Sequence, residues 1–189
     1  MDKLILLACW FLLLSLPCSG EEVAPGVLRT PDFRFADLED FPYDAQYLQF
    51  NGARVHFLDE GPKAGQPILL LHGLPTWSYL YRKMMPALIE AGHRVIVPDL
   101  IGFGKSDKFA DKTDYSYVHH IETIKYLVHS LDLRDATFFG QDWGGMIGLR
   151  VVAEMPDRFA RVAVSNTGMV ARPGITGWLI EKVLAFMIW

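Results

Sequence analysis

Apolar and polar positions follow two rhythms along this chain. In "YLQFNGARVHFLDEG" (47–61) two short runs alternate apolar with polar around Asn51-Gly52. Period-two alternation on both sides of Asn-Gly predicts a β-hairpin with a tight turn. "PILLLHG" (67–73) is instead a continuous apolar run ending in glycine. A strand buried on both faces reads this way. The same signature recurs in "RVIVPDL" (94–100), "ATFFGQDW" (136–143) and "RVAVSNTG" (161–168). Between these runs, 77–91, 115–131 and 144–155 carry apolar positions at helical spacing, the last stopped by Pro156.

Buried strands alternating with helices, opened by an antiparallel hairpin, predict an α/β fold with a mostly parallel sheet and helices on both faces. Ligands bind such sheets beyond the carboxyl ends of the strands. Three of those ends carry reactive side chains: "HGLPTW" (72–77), "DLIGFGKSD" (99–107) and "GQDWGG" (140–145). Residues 21–46, rich in Pro, Asp and Glu, read as an irregular leader. The chain after its first twenty residues holds no internal repeat and no low-complexity segment.

A length of 189 residues with 51% hydrophobic content bounds the chain to one globular domain with a real core. The net charge of −4 and the absence of any Lys/Arg run argue against a nucleic-acid partner. "LILLACWFLLLSLP" (4–17) is an apolar run followed by the small residues of "CSG" and then by "EE". That is the shape of a secretory signal peptide, with cleavage expected near Gly20 and export to the periplasm or medium. The run is shorter than the roughly 18–20 apolar residues that a membrane-spanning helix needs. No membrane association is therefore expected after signal removal, with an uncleaved anchor as the alternative. Cys9 and Cys18 both lie in this segment, so disulfides have no part in the mature fold. Pro17 stands where a lipid-modified Cys18 would want a small residue before it.

In "GQDWGG" the spacing is Gly, any residue, nucleophile, any residue, Gly, with Asp142 where a serine more often stands. A strand before it and an apolar helix after it complete the context of a nucleophile elbow. The free N–H groups of the helix start favour negative charge, so the carboxylate is expected to stay ionised and point outward. The simpler role is a helix N-cap, a position that aspartate favours. A cap leaves the glycine frame, Gln141, Trp143 and the second motif at 72–77 unexplained. "HG" (72–73) follows the strand where this arrangement places an oxyanion-hole donor, which assigns the two donors to the backbone N–H groups of Leu74 and Trp143. His72 is expected to orient that loop by hydrogen bonding rather than to act in catalysis.

With these residues in view, the chain resembles the haloalkane dehalogenases of the α/β-hydrolase superfamily. The likeness rests on "HGLPTWSYLYRKMMP" (72–86), "DLIGFGKSDK" (99–108) and "GQDWGG", and covers 47–168, with 169–189 as the start of a cap domain. It implies attack by a carboxylate on a halogen-bearing sp³ carbon, an ester intermediate, and opening of that ester by water. A serine would be left as a stable ether, which is why the position wants Asp. The resemblance makes the Trp143 indole one halide donor. Leu74 has no side-chain donor, which points to a cap tryptophan as the second, and "AFMIW" (185–189) nominates Trp189. Plain packing of Trp189 in an amphipathic helix stays open beside that role. The expected partners are a small halogenated substrate and water; no metal and no organic cofactor is needed.

The family's general base is a late histidine, and its supporting acid also lies downstream of the sixth strand. Neither falls within the 189 residues, and Asn166 occupies the place where another branch keeps its acid. His119, His120 and His129 are expected on a helix against the sheet's flank, His56 in the hairpin and His93 in a surface turn, so none is expected to replace the base. The chain therefore reads as an incomplete piece of a longer enzyme, or as a shortened product without turnover. The rivals are an epoxide hydrolase using the same Asp142 with cap tyrosines, and a non-catalytic α/β-hydrolase-like binding protein.

Overall fold

The computed structural model describes residues 20–168. The leader departs from expectation at once, because 21–46 is not irregular throughout. β1 (Glu21–Ala24) and β2 (Val27–Arg29) pair antiparallel with Ala24 opposite Val27. Pro25 and Gly26 make the turn, and Gly26 at φ 71° supplies the positive dihedral such a turn needs. β2 pairs in turn with β7 (Lys108–Phe109), closing a small three-stranded sheet. Strands this short carry too few positions for alternation to show. Arg29 fixes the sheet to the body through a two-pronged contact with Asp107, at 2.7 and 2.9 Å.

The expected hairpin forms from β3 (Gln46–Phe50) and β4 (Ala53–Glu60), with Phe50 opposite Ala53. Asn51 and Gly52 lie at φ 48° and 82°, the paired positive values of a two-residue hairpin turn. β5 (Pro67–Leu71), β6 (Arg94–Pro98), β8 (Ala136–Gln141) and β9 (Phe159–Ser165) complete a sheet in the order β3-β4-β6-β5-β8-β9. The last four strands run parallel. Residues 77–91 do not form one helix: a 3-10 turn (Ser78–Tyr81) precedes α1 (Met85–Glu90). Pro86 has no N–H to donate back into the previous turn, so it is tolerated only where a new helix begins. α2 (Tyr117–Ser130) and α3 (Trp143–Glu154) match their patterns, with Pro156 opening a 3-10 turn after α3.

Alternation along the buried strands divides the core in two. Leu69 and Leu71 of β5 face Ile121, Ile124 and Leu127 of α2 and Ile147 of α3. Ile68 and Leu70 face the other way, toward Tyr81 and Met85. This double burial is why the runs read as continuously apolar. Among the described residues no helix is long and apolar enough to cross a membrane. The expected signal segment, the start of the cap and Trp189 lie outside the described residues.

Candidate active site

Asp142 stands at the junction of β8 and α3 with φ 53° and ψ −128°. A non-glycine residue in so sparsely populated a region costs on the order of 1–3 kcal/mol, and persists only where its surroundings hold it. Several contacts do. Gly145 and Met146 donate their N–H groups to Asp142 O at 3.0 and 3.3 Å, and Asp142 N donates to Asn166 O at 3.2 Å. The glycines after Asp142 are demanded by close packing. A Cβ on Gly144 would lie 2.1 Å from Leu71 O, and one on Gly145 would lie 2.4 Å from Thr167 Oγ1. Side chains at either position would push α3 off the sheet and open the turn.

The Asp142 side chain makes no capping bond to α3, which removes the helix-cap role as its explanation. Its Oδ1 accepts instead from Leu74 N at 3.0 Å, across the gap between the ends of β8 and β5. The other oxygen, Oδ2, accepts no hydrogen bond from the described residues. Trp143 opens α3, where the first N–H groups have no acceptor within the helix. Of the two residues named from the sequence as backbone donors, Leu74 meets the carboxylate directly, and Trp143 is the next residue in the chain after it. Trp143 and Leu74 also line a cavity of about 530 Å³, walled by Phe103, Tyr117 and Ile147 among others. The Tyr117 ring stands edge-on to Trp143 with centroids 6.5 Å apart, and its hydroxyl donates to Met146 O at 2.8 Å.

A family model described as alpha/beta hydrolase fold matches residues 66–179. The chain belongs to the α/β-hydrolase fold family. This α/β-hydrolase is similar to a haloalkane dehalogenase of Psychrobacter cryohalolentis, 58% identical over 146 residues covering 75% of this chain and 48% of the relative. It is likewise similar to one of Mycobacterium marinum, 48% identical over 168 residues covering 86% of this chain and 54% of the relative. The solved tetrameric haloalkane dehalogenase of Paraglaciecola agarilytica superposes with a TM-score of 0.77 at 40% identity, over 85% of this chain and 55% of that one. The chain spans about half the length of the curated relatives it matches.

Other polar residues at the strand ends of this α/β-hydrolase prove to be scaffold. His72 is buried with both ring nitrogens engaged: Nδ1 donates to Gly73 O and Nε2 accepts from Leu100 N, each at 2.9 Å. Burial lowers its pKa, and the imidazole is neutral, orienting the loop that carries Leu74. Asp99, at the end of β6, is fully buried. Its Oδ1 accepts from Ser78 N at 2.7 Å, while Oδ2 accepts from Lys105 N and from His56 Nδ1, each at 2.8 Å. Burial alone would raise its pKa, but the bond and charge of His56 with the backbone donors hold it below the usual carboxylate range. The motif "DLIGFGKSD" therefore builds a loop rather than a reactive centre.

His120 is the correction. It was expected on the flank of the sheet, yet it lines the same cavity as Trp143. α2 begins near the strand ends, so its first turn reaches the cavity while Ile124, Leu127 and Val128 further along pack on the sheet. Burial, then the neighbouring His119 and His72, push its pKa down to about 4. Its Nδ1 is enclosed without a hydrogen-bond partner among the described residues. Sequence reasoning also missed Thr167, whose Oγ1 donates to Asp142 O at 2.6 Å. Its one signal was a threonine placed just after the end of a strand neighbouring the elbow.

Proposed function

We propose that this protein hydrolyses haloalkanes with Asp142 as nucleophile. The observation that carries the reading is the elbow geometry: one carboxylate oxygen held by Leu74 N at 3.0 Å, the other without a donor among the described residues, with Leu74 and Trp143, the residue after Asp142, both lining a cavity. Similarity to haloalkane dehalogenases at 58% and 48% identity supports the substrate class.

In this mechanism Asp142 Oδ2 attacks the halogen-bearing carbon in line. The new C–O bond forms as the carbon–halogen bond breaks, and the halide departs with the bonding pair. The Trp143 indole N–H stabilises that anion in the cavity, with Trp189 as the second donor. The product is an alkyl ester of Asp142. Water then adds to the carboxyl carbon, and negative charge develops on Oδ1, the oxygen beside Leu74 N, where backbone donors are most effective. In a serine hydrolase the oxyanion belongs to the substrate; here it belongs to the enzyme's own side chain, so the donor is in place before substrate arrives. The proton of the attacking water goes to a base and then to the departing alkoxide, giving the alcohol. No described histidine hydrogen-bonds Asp142, and the resemblance assigns that base to a later part of the fold.

The test is halide release from n-butyl bromide by the purified protein and by Asp142→Asn, with styrene oxide assayed in parallel. Release that depends on Asp142 supports the proposal. Epoxide opening without halide release would make the protein an epoxide hydrolase, and inertness to both would favour a binding protein. Export is part of the same reading, supported by the apolar run at 4–17, and detection of the protein only in the cytosolic fraction would remove it.

A further inference from the structure

We infer that Thr167 is a positioning residue for the Asp142 nucleophile, holding the elbow from the end of the neighbouring strand; the inference rests on the function proposed above. β9 ends at Ser165, and Asn166 then turns with φ 46°, bringing Thr167 against the β8–α3 junction. Two contacts follow. Asn166 O accepts from Asp142 N at 3.2 Å, and Thr167 Oγ1 donates to Asp142 O at 2.6 Å.

These two contacts fall on either side of the Asp142 α-carbon. Holding the N–H restrains rotation about N–Cα, and holding the C=O restrains rotation about Cα–C. Together they set the direction in which the Cα–Cβ bond leaves the backbone, and hence where Oδ2 points once Leu74 has taken Oδ1. The bonds that Asp142 O accepts from Gly145 and Met146 belong to the first turn of α3 and move with it. The Thr167 hydroxyl comes from a different element, so it fixes the elbow relative to the sheet. Its side chain also lies directly over Gly145, where an added Cβ would come within 2.4–2.6 Å of its Oγ1, Cβ and Cγ2. The contact is therefore packed as well as hydrogen-bonded.

Valine keeps the shape of threonine and loses the hydroxyl, while serine keeps the hydroxyl and loses the methyl. The experiment measures formation of the Asp142 alkyl ester in single turnovers with excess n-butyl bromide, followed by rapid quench and intact-mass analysis. Thr167→Val should slow esterification roughly tenfold, as expected for loss of one hydrogen bond felt in the transition state. The bromide concentration at half-saturation should stay near the wild-type value, and Thr167→Ser should recover the rate to within about twofold. Thermal melts of all variants accompany the kinetics, and Thr167→Ala replaces the valine variant if that one does not fold. A hydroxyl-free variant that reacts at the wild-type rate overturns the inference, as does a serine variant as slow as valine. Wild-type protein that forms no ester removes the functional reading instead, a result distinct from either.

Discussion

Asp99 and Asp142 occupy comparable places in the sheet and have opposite fates. In the strand order β6-β5-β8 they follow the strands on either side of β5, each at a carboxyl end. Asp99 is enclosed, and its two oxygens take three hydrogen bonds, from Ser78 N, Lys105 N and His56. Asp142 sits on a strained turn with one oxygen bound to Leu74 N and the other without a donor among the described residues. Residue type and strand-end position are therefore not enough to make a reactive carboxylate. What separates them is donor supply: among the described residues Asp99 is fully satisfied, as a scaffold residue is, while Asp142 keeps one oxygen without a donor, as the proposed nucleophile requires.

Paired substitutions break the comparison most sharply. Asp142→Asn should abolish halide release without lowering the unfolding midpoint in urea, because the removed charge holds up none of the core. Asp99→Asn should do the reverse. It replaces a buried acceptor oxygen by an amide, leaving at least one of its donors unpaired, and should cost about 1–3 kcal/mol of stability, read by urea denaturation, with activity per folded molecule retained. If the activity loss falls on Asp99 and the stability loss on Asp142, the assignment of roles is inverted.

Gly144→Ala comes next. Its Cβ would meet the backbone oxygen Leu71 O at 2.1 Å, which no side-chain adjustment relieves. Overpacking of this kind costs typically about 1–3 kcal/mol, and the shift of α3 should also displace Asp142 and depress ester formation. Equal activity in this variant would show that the elbow tolerates movement.

The smallest effect is a dependence on pH that separates the two regions. His120, on the cavity wall near Trp143, has its pKa lowered from 6.5 to about 4. The unfolded chain then takes up a proton before the native one does, so stability contributed by the neutral imidazole falls as pH drops from 6.5 toward 4. Asp99, with a pKa below its ordinary 3.8, contributes stability that is present above that pH and lost only as pH falls through its lower native value. Urea midpoints measured against pH should show a slope in the upper window that flattens in His120→Gln, and a slope in the lower window that flattens in Asp99→Asn.

Much of this was readable in the chain because local rules carried it. Asn51-Gly52 announces a hairpin by turn chemistry, and the apolar runs announce strands covered on both faces. The glycine frame around Asp142 is legible as one local motif, although Gly144 and Gly145 are demanded by Leu71 O and Thr167 from beyond the neighbouring strands. Other features escaped because they depend on residues distant in sequence. The β1–β2 hairpin takes its third strand from β7, some eighty residues on. Thr167 reaches Asp142 across a separation of 25, and His56 finds Asp99 across 43. His120 was misplaced because helical periodicity describes which side of α2 is apolar, but not how far its first turn overhangs the sheet.

If Asp142 gives up its own oxygen to the product, the chemistry can be located on its side chain. The protein is incubated with n-butyl bromide in heavy-oxygen water, quenched, digested, and the peptide containing Asp142 sequenced by mass spectrometry. Asp142 should carry either a butyl ester or, where the ester has been opened by water, heavy oxygen in its carboxylate. Halide released while Asp142 carries neither label would contradict it.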